Sequence, residues 1–178
     1  YGLKIEYSSD LADLQVERAV AHLEEVNPDF SKKFRETLAQ VRQDWKFVST
    51  DLEIIDDSLY LIKQVASICS GGTIRYEQTA NYGKDQVVVS EPLFRALTPT
   101  AQAALIVHET FYSIFRSELQ HKDSVIAREM TGRVFSTWDL LKISNRLDEI
   151  GYPSVDFWKY SYLVKPGFFT PYNQTSGL

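Results

Sequence analysis

Apolar positions recur at helical spacing through the first quarter of the chain. Over residues 10–26, Leu11, Leu14, Ala19, Leu23 and Val26 line one stripe with acids between them. That stripe predicts an amphipathic helix, with Ser9 or Asp10 as its cap. "NPD" at residues 27–29 interrupts the pattern. Helical spacing resumes over residues 30–47 through Phe34, Leu38, Val41 and Trp45, predicting a second helix. The period then changes. Residues 59–68 are apolar and rich in strand formers, "SGG" follows at 70–72, and residues 73–77 alternate. Two such runs around a glycine pair predict a β-hairpin. Residues 86–90 read as a third strand, which Pro92 ends, and residues 52–55 as a short fourth.

A second helical region opens at "LTPTAQAALIVHE", residues 97–109. Thr98 suits the N-cap and Pro99 the first helical position, so a helix is expected from there to about Leu119. "QHKD" at 120–123 leads into another helix over residues 124–135. It continues or restarts through Leu140, Ile143 and Leu147 and stops at Gly151, before Pro153. From Gly151 onward eight aromatics fall within 28 residues, and Pro153, Pro166 and Pro171 forbid a continuous helix. The expected fold is a single α+β domain spanning residues 1–178. It has two N-terminal helices, a small mainly antiparallel sheet, a helical hairpin carrying "HETFY", and an irregular aromatic-rich tail.

Composition narrows the partners. A net charge of -5 gives no general attraction for nucleic acid or acidic membrane surfaces. No apolar run approaches the ~20 residues of a membrane span, so a soluble protein is expected. Cys69 is the one cysteine, which excludes an intrachain disulfide and a cysteine zinc knuckle. Scarce cysteine suits cytosol and bacterial periplasm equally. A start at Tyr1 without methionine fits either a trimmed sequence or a processed form, with a removed signal peptide as one origin. "NQT" at 173–175 fits a glycosylation triplet that chance also produces.

The candidate chemistry sits in the hairpin. In "HETFY", His108 and Tyr112 lie four apart on one helix face with Glu109 beside them. Leu105, Phe115, Arg116 and Leu119 extend the same face. If the two helices pair antiparallel about residue 121, Arg128 falls near Tyr112 and Gly132 near Thr110. Arg128 then reaches Glu109 or the Tyr112 hydroxyl, and Gly132 admits a close helix approach. On this reading His108, Glu109, Tyr112, Ser124 and Arg128 form a structural polar cluster, because a buried carboxylate left unpaired is costly. Asp123 and Ser124 also suit the second helix's N-cap.

The same residues carry a resemblance. The strand at 86–90, the short connection and "LTPTAQAALIVHE" resemble the edge strand and active-site helix of zincin metallopeptidases, across residues 86–119. The likeness is to a degenerate member, with HExxY in place of HExxH. It implies zinc on His108, Glu109 as general base, and Tyr112 in the second ligand's place. Glu129 loosely matches a later glutamate ligand of one zincin branch. Glu109 and Tyr112 become the catalytic candidates, for hydrolysis of a peptide or peptidoglycan-like substrate. A phenol ligand must first lose a proton with a reference pKa near ~10, whereas a neutral imidazole need not. His121 is no substitute, since the helix rises about 16 Å between His108 and Leu119. His22 belongs to another helix. The expectation is therefore no cofactor, with zinc as the alternative.

HExxY followed by D-S-x-x-x-R-x-x-x-G (Asp123, Ser124, Arg128, Gly132) also resembles a set of uncharacterised exported bacterial proteins, over residues 59–136. That likeness implies a periplasmic or secreted protein and names no substrate. The expected role is non-catalytic binding, or an envelope-associated one; zinc hydrolysis, or a metal-free reaction using Glu109, are the rivals. Trp158, Tyr160, Tyr162, Phe168 and Phe169 form a candidate binding surface for a glycan or protein partner. The same rings equally suit burial across the core. Other chemistry is thin: Ser70-Gly71-Gly72 lacks the lysine of a phosphate loop, and no G-x-S-x-G elbow occurs. The acidic pairs Asp56-Asp57 and Glu24-Glu25 suit solvated edges, and Cys69 has no basic neighbour to activate it.

Overall fold

In the computed structural model the described residues are 11–54, 77–82, 86–136 and 140–154. Helices α1 (Ala12–Val26) and α2 (Pro28–Asp44) form where the apolar stripes predict them. Asn27 joins them. Its Oδ1 accepts from the Phe30 amide at 3.0 Å, capping α2, while its Nδ2 donates to the Tyr152 carbonyl at 2.9 Å. Pro28 occupies the first turn, where its missing N–H is harmless. At the start of α1 the cap position falls to Leu11, which makes no side-chain cap bond. The expected caps Ser9 and Asp10 lie outside the described residues.

The expected run of α2 to Phe47 does not occur. The helix ends at Asp44, and Trp45–Val48 becomes strand β1. Trp-Lys-Phe-Val is aromatic and β-branched, and its backbone bonds go to a strand some forty residues away. That strand, β3 (Val87–Ser90), lies between β1 and β2 (Ala80–Tyr82). Trp45 sits opposite Val87 in the parallel pair; Tyr82 sits opposite Val87 in the antiparallel one. The sheet is thus mixed, because β1 leaves α2 in the same direction as β3. Of the expected fourth strand, Leu52 forms an isolated bridge with Gln78. The expected hairpin over residues 59–77 and Cys69 fall outside the described residues, apart from Glu77.

Pro92 ends β3 as expected, in the first turn of a short helix α3 (Glu91–Ala96) held by a Glu91–Arg95 ion pair of 2.6 Å. Six residues are too few for periodicity to reveal. Helix α4 (Pro99–Glu118) follows, with Thr98 Oγ1 accepting from the Ala101 amide at 3.2 Å as predicted. Gln120 takes a left-handed φ of 56°, which lets the Leu119 and His121 amides both reach the Phe115 carbonyl, at 3.0 and 3.2 Å. The chain reverses there into α5 (Val125–Val134), completing the expected hairpin. A separate helix, α6 (Leu140–Glu149), ends at Gly151, whose φ of 101° suits only glycine.

This is an α+β arrangement with α4 at its centre. Phe30 and Phe34 of α2, Phe111 and Phe115 of α4, Met130 of α5 and Leu147 of α6 share one buried cluster with α1. Phe34 meets Phe111 edge-on at 4.8 Å. A smaller cluster of Ala80, Val87 and Val89 takes Leu105 from the other side of α4. Among the described residues no helix is long and apolar enough to cross a membrane. The tail residues Trp158, Tyr160, Tyr162, Phe168 and Phe169 lie outside the described residues.

Candidate functional site

Helix α4 presents two unlike faces. Ala103, Val107, Phe111 and Ile114 are buried against α1 and α2. The stripe Ala101, Ala104, Leu105, His108, Tyr112, Arg116 turns the other way, at three- and four-residue spacing, and lines a cavity of about 780 Å³. The second wall is α5, through Ser124, Arg128 and Gly132, and the third is the segment from Glu77 to Tyr82. A volume of that order is in the range of small-molecule sites.

All five members of the predicted polar cluster, His108, Glu109, Tyr112, Ser124 and Arg128, border this cavity. The hairpin holds them around an open space. Gly132, expected as a point of close approach, is also part of the lining. Glu109 is only 6% exposed, and its Oε1 stands 3.9 Å from His108 Nε2, longer than a hydrogen bond. The His108 and Tyr112 rings are near parallel with centroids 6.3 Å apart. Tyr112 donates to the Lys122 carbonyl at 3.4 Å, and Arg128 Nη1 donates to Ser124 Oγ at 2.8 Å. Ser124 occupies the N-cap of α5 without a side-chain cap bond, and Asp123 Oδ1 takes the Val125 amide at 3.1 Å instead. The cap is divided between the two residues proposed for it.

Glu129, matched above to a later zinc ligand, does not join the cavity. Its Oε1 accepts from Arg133 Nε and Nη2 at 3.1 and 2.7 Å, and its Oε2 from Arg146 Nε and Nη2 at 3.1 and 2.9 Å. Two guanidinium forks occupy this carboxylate and tie α5 to α6. His22 is engaged elsewhere, with Nδ1 3.0 Å from the Val134 carbonyl. Among the described residues no three His, Cys, Asp or Glu side chains converge where a cation would sit. The described donor set therefore does not fit the zinc site that the resemblance implies.

Two contributors, Tyr82 and Lys122, escape the sequence reading, and Arg116, already placed on this helix face by its spacing, joins them. Tyr82 meets Tyr112 edge-on at 5.8 Å, and Arg116 lies over the Tyr82 ring at 4.6 Å, a cation–π contact that pins β2 to α4. Lys122 adds a further cation at the turn. Arg116 was visible on the helix face four residues beyond Tyr112; Tyr82, thirty residues upstream, had no local signal. Chemically the arrangement offers an imidazole, two carboxylates, two phenols and three cations around a partly apolar space. Comparison of the chain with protein-family models, curated proteins and solved structures yields no match.

Proposed function

We propose that this protein is a degenerate zincin-like binding protein of the bacterial envelope, which uses the face of α4 that carries "HETFY" to hold a ligand without hydrolysing it. The observation that carries the reading is the cavity of about 780 Å³, which opens on His108, Glu109 and Tyr112. This is where the resemblance puts a catalytic centre, yet among the described residues no three possible ligands converge there. A scaffold of this kind keeps the cleft of an enzyme while the metal chemistry lapses, so recognition is the function that remains. Export to the periplasm or outside the cell rests on the likeness of "HETFY" and the spacing Asp123, Ser124, Arg128, Gly132 to exported bacterial proteins. In this reading Trp158, Tyr160, Tyr162, Phe168 and Phe169 are further candidates for contact with a glycan or protein partner.

The test is binding of N-phenyl-1-naphthylamine, an uncharged fluorescent probe, to wild type and to Ala104→Trp, which fills the cavity from α4. Wild type is expected to bind saturably at one site, and the variant to lose the site while keeping its melting temperature within a few degrees. No saturable binding to the wild type would overturn the cavity as a ligand site. Stoichiometric zinc retained through dialysis and lost with His108→Ala would overturn the non-catalytic half and restore the hydrolase reading.

A further inference from the structure

Polarity is not spread evenly around this cavity. Along α4 the lining passes from Thr100, Ala101, Ala104 and Leu105, through His108, Glu109 and Tyr112, to Arg116, a rise of about 24 Å. The antiparallel helix repeats the order in reverse, with Phe135 at its far end and Arg128, Ser124 and then Lys122 toward the turn. Two elements thus place their aliphatic and aromatic groups, with Thr100 and Thr131 among them, toward one end and cations toward the other. The third wall marks the same cationic end and carries Glu77, Gln78 and Thr79 away from it. Tyr82 is fixed at the cationic end by its contact with Arg116. Glu77, the acid of that wall, lies five residues back along an extended segment, about 16 Å away. A second, smaller cavity continues from the first at the same end, lined by Arg116, Gln120, His121 and Lys122.

From this we infer that the ligand is an elongated amphipathic anion: an apolar chain directed toward Leu105 and Phe135, and a terminal carboxylate or phosphate held between Arg116 and Lys122. The inference rests on the cavity being the binding site proposed above. Arg116 and Lys122 are exposed at the mouth, so an anionic group reaches them without being stripped of all its water. A chain of net charge -5 that gathers cations at one mouth makes a local exception to its own field, and such focusing selects ligands by sign. The guanidinium plane of Arg116 suits the paired oxygens of either head group. Midway, His108 and Tyr112 offer ring faces that accept a chain and edges that hydrogen-bond a polar substituent.

The experiment displaces N-phenyl-1-naphthylamine from wild-type protein with dodecanoate, dodecyl phosphate and dodecanol, all below their aggregation limits. The chains match in length, so the alcohol isolates the contribution of charge. Dodecanoate, dodecyl phosphate or both should displace the probe at concentrations about tenfold lower than dodecanol, the gain expected for one charge-assisted contact. Whichever anion does better identifies the head group. In the Arg116→Gln, Lys122→Gln double variant the ratio of anion to alcohol should fall close to one, and the ratio rather than either affinity is the readout. Equal displacement by alcohol and anions in the wild type, or an anion preference that survives the double variant, overturns the assignment. Probe binding without anion preference leaves the cavity reading standing and removes only this inference; absence of probe binding removes the cavity reading itself.

Discussion

The two faces of α4 use similar residues to opposite ends. Toward α1 and α2, Phe111 and Phe115 lie with ring centroids 5.5 Å apart and at most 1% exposed, among other rings and aliphatic groups. Toward β2 and α5, His108 and Tyr112 also present rings, but with polar edges and with a cavity in front of them. An aromatic side chain stabilises in proportion to the apolar area it removes from water, so the first face carries stability. The second face is only partly buried and borders the cavity. One helix thus packs into the core on one side and lines a cavity on the other.

Substitutions on adjacent residues break this comparison most directly. Phe111→Ala removes a ring that meets Phe34 at 4.8 Å and is fully buried, and a loss of about 3–5 kcal/mol in urea unfolding is expected. Tyr112→Phe, one position along, removes a hydroxyl whose bond to the Lys122 carbonyl is long at 3.4 Å, and a change within about 1 kcal/mol is expected. Equal losses from the two would mean that the cavity face is core after all.

A second contrast concerns the two buried carboxylates of the hairpin. Glu129 is held by four donor contacts from Arg133 and Arg146, and the latter belongs to another helix. Glu109 faces the cavity beside His108. Glu129→Ala leaves two guanidiniums, 22% and 26% exposed, without their shared partner, and a loss of about 2–3 kcal/mol is expected, with α6 loosening first. Hydrogen exchange in Leu140–Glu149 provides the local readout. Unchanged protection there would show that packing of Ile143 and Leu147, not the ion pairs, holds α6 in place.

Local chemistry explains which of these features were legible in the sequence. Thr98 and Pro99 announce α4 because a cap and its helix are neighbours, and the stripe of α1 needs no partner to be seen. The strand Trp45–Val48 was hidden because its backbone partners begin at Val87, and a helical apolar spacing happened to continue through Trp45. The hairpin alone suggested that the five residues of the polar cluster lie on facing helices, and all five border the cavity. What they face was not readable, since the third wall comes from residues 77–82, whose position depends on pairing with β3. Glu129 looked available to a metal for the same reason: Arg146 lies seventeen residues away, beyond any helical period.

The smallest expected effect lies where the core face meets the chain's last described turn. Lys33 Nζ and the Tyr152 hydroxyl both donate to Glu118 Oε2, at 2.7 and 2.9 Å. Lys33 chiefly, with Tyr152 adding to it, holds the Glu118 carboxyl below its ordinary value against the opposing effect of partial burial. A carboxyl depressed in the folded state binds its proton more readily when unfolded. Its contribution to stability is therefore full above the ordinary carboxylate range and disappears as pH falls through the folded value. Burial first, and then Glu118, raise the Tyr152 phenol, so its own contribution is full below the ordinary phenol value and fades as pH rises beyond it. Both side chains of the Lys33–Glu118 pair are 40% exposed, so solvent screening keeps the gain below about 1 kcal/mol. Melting curves of wild type and Glu118→Gln should therefore differ by a degree or two at neutral pH and converge in acid. A difference that grows as pH falls would reverse the sign of this linkage and show that Glu118 is strained where it stands.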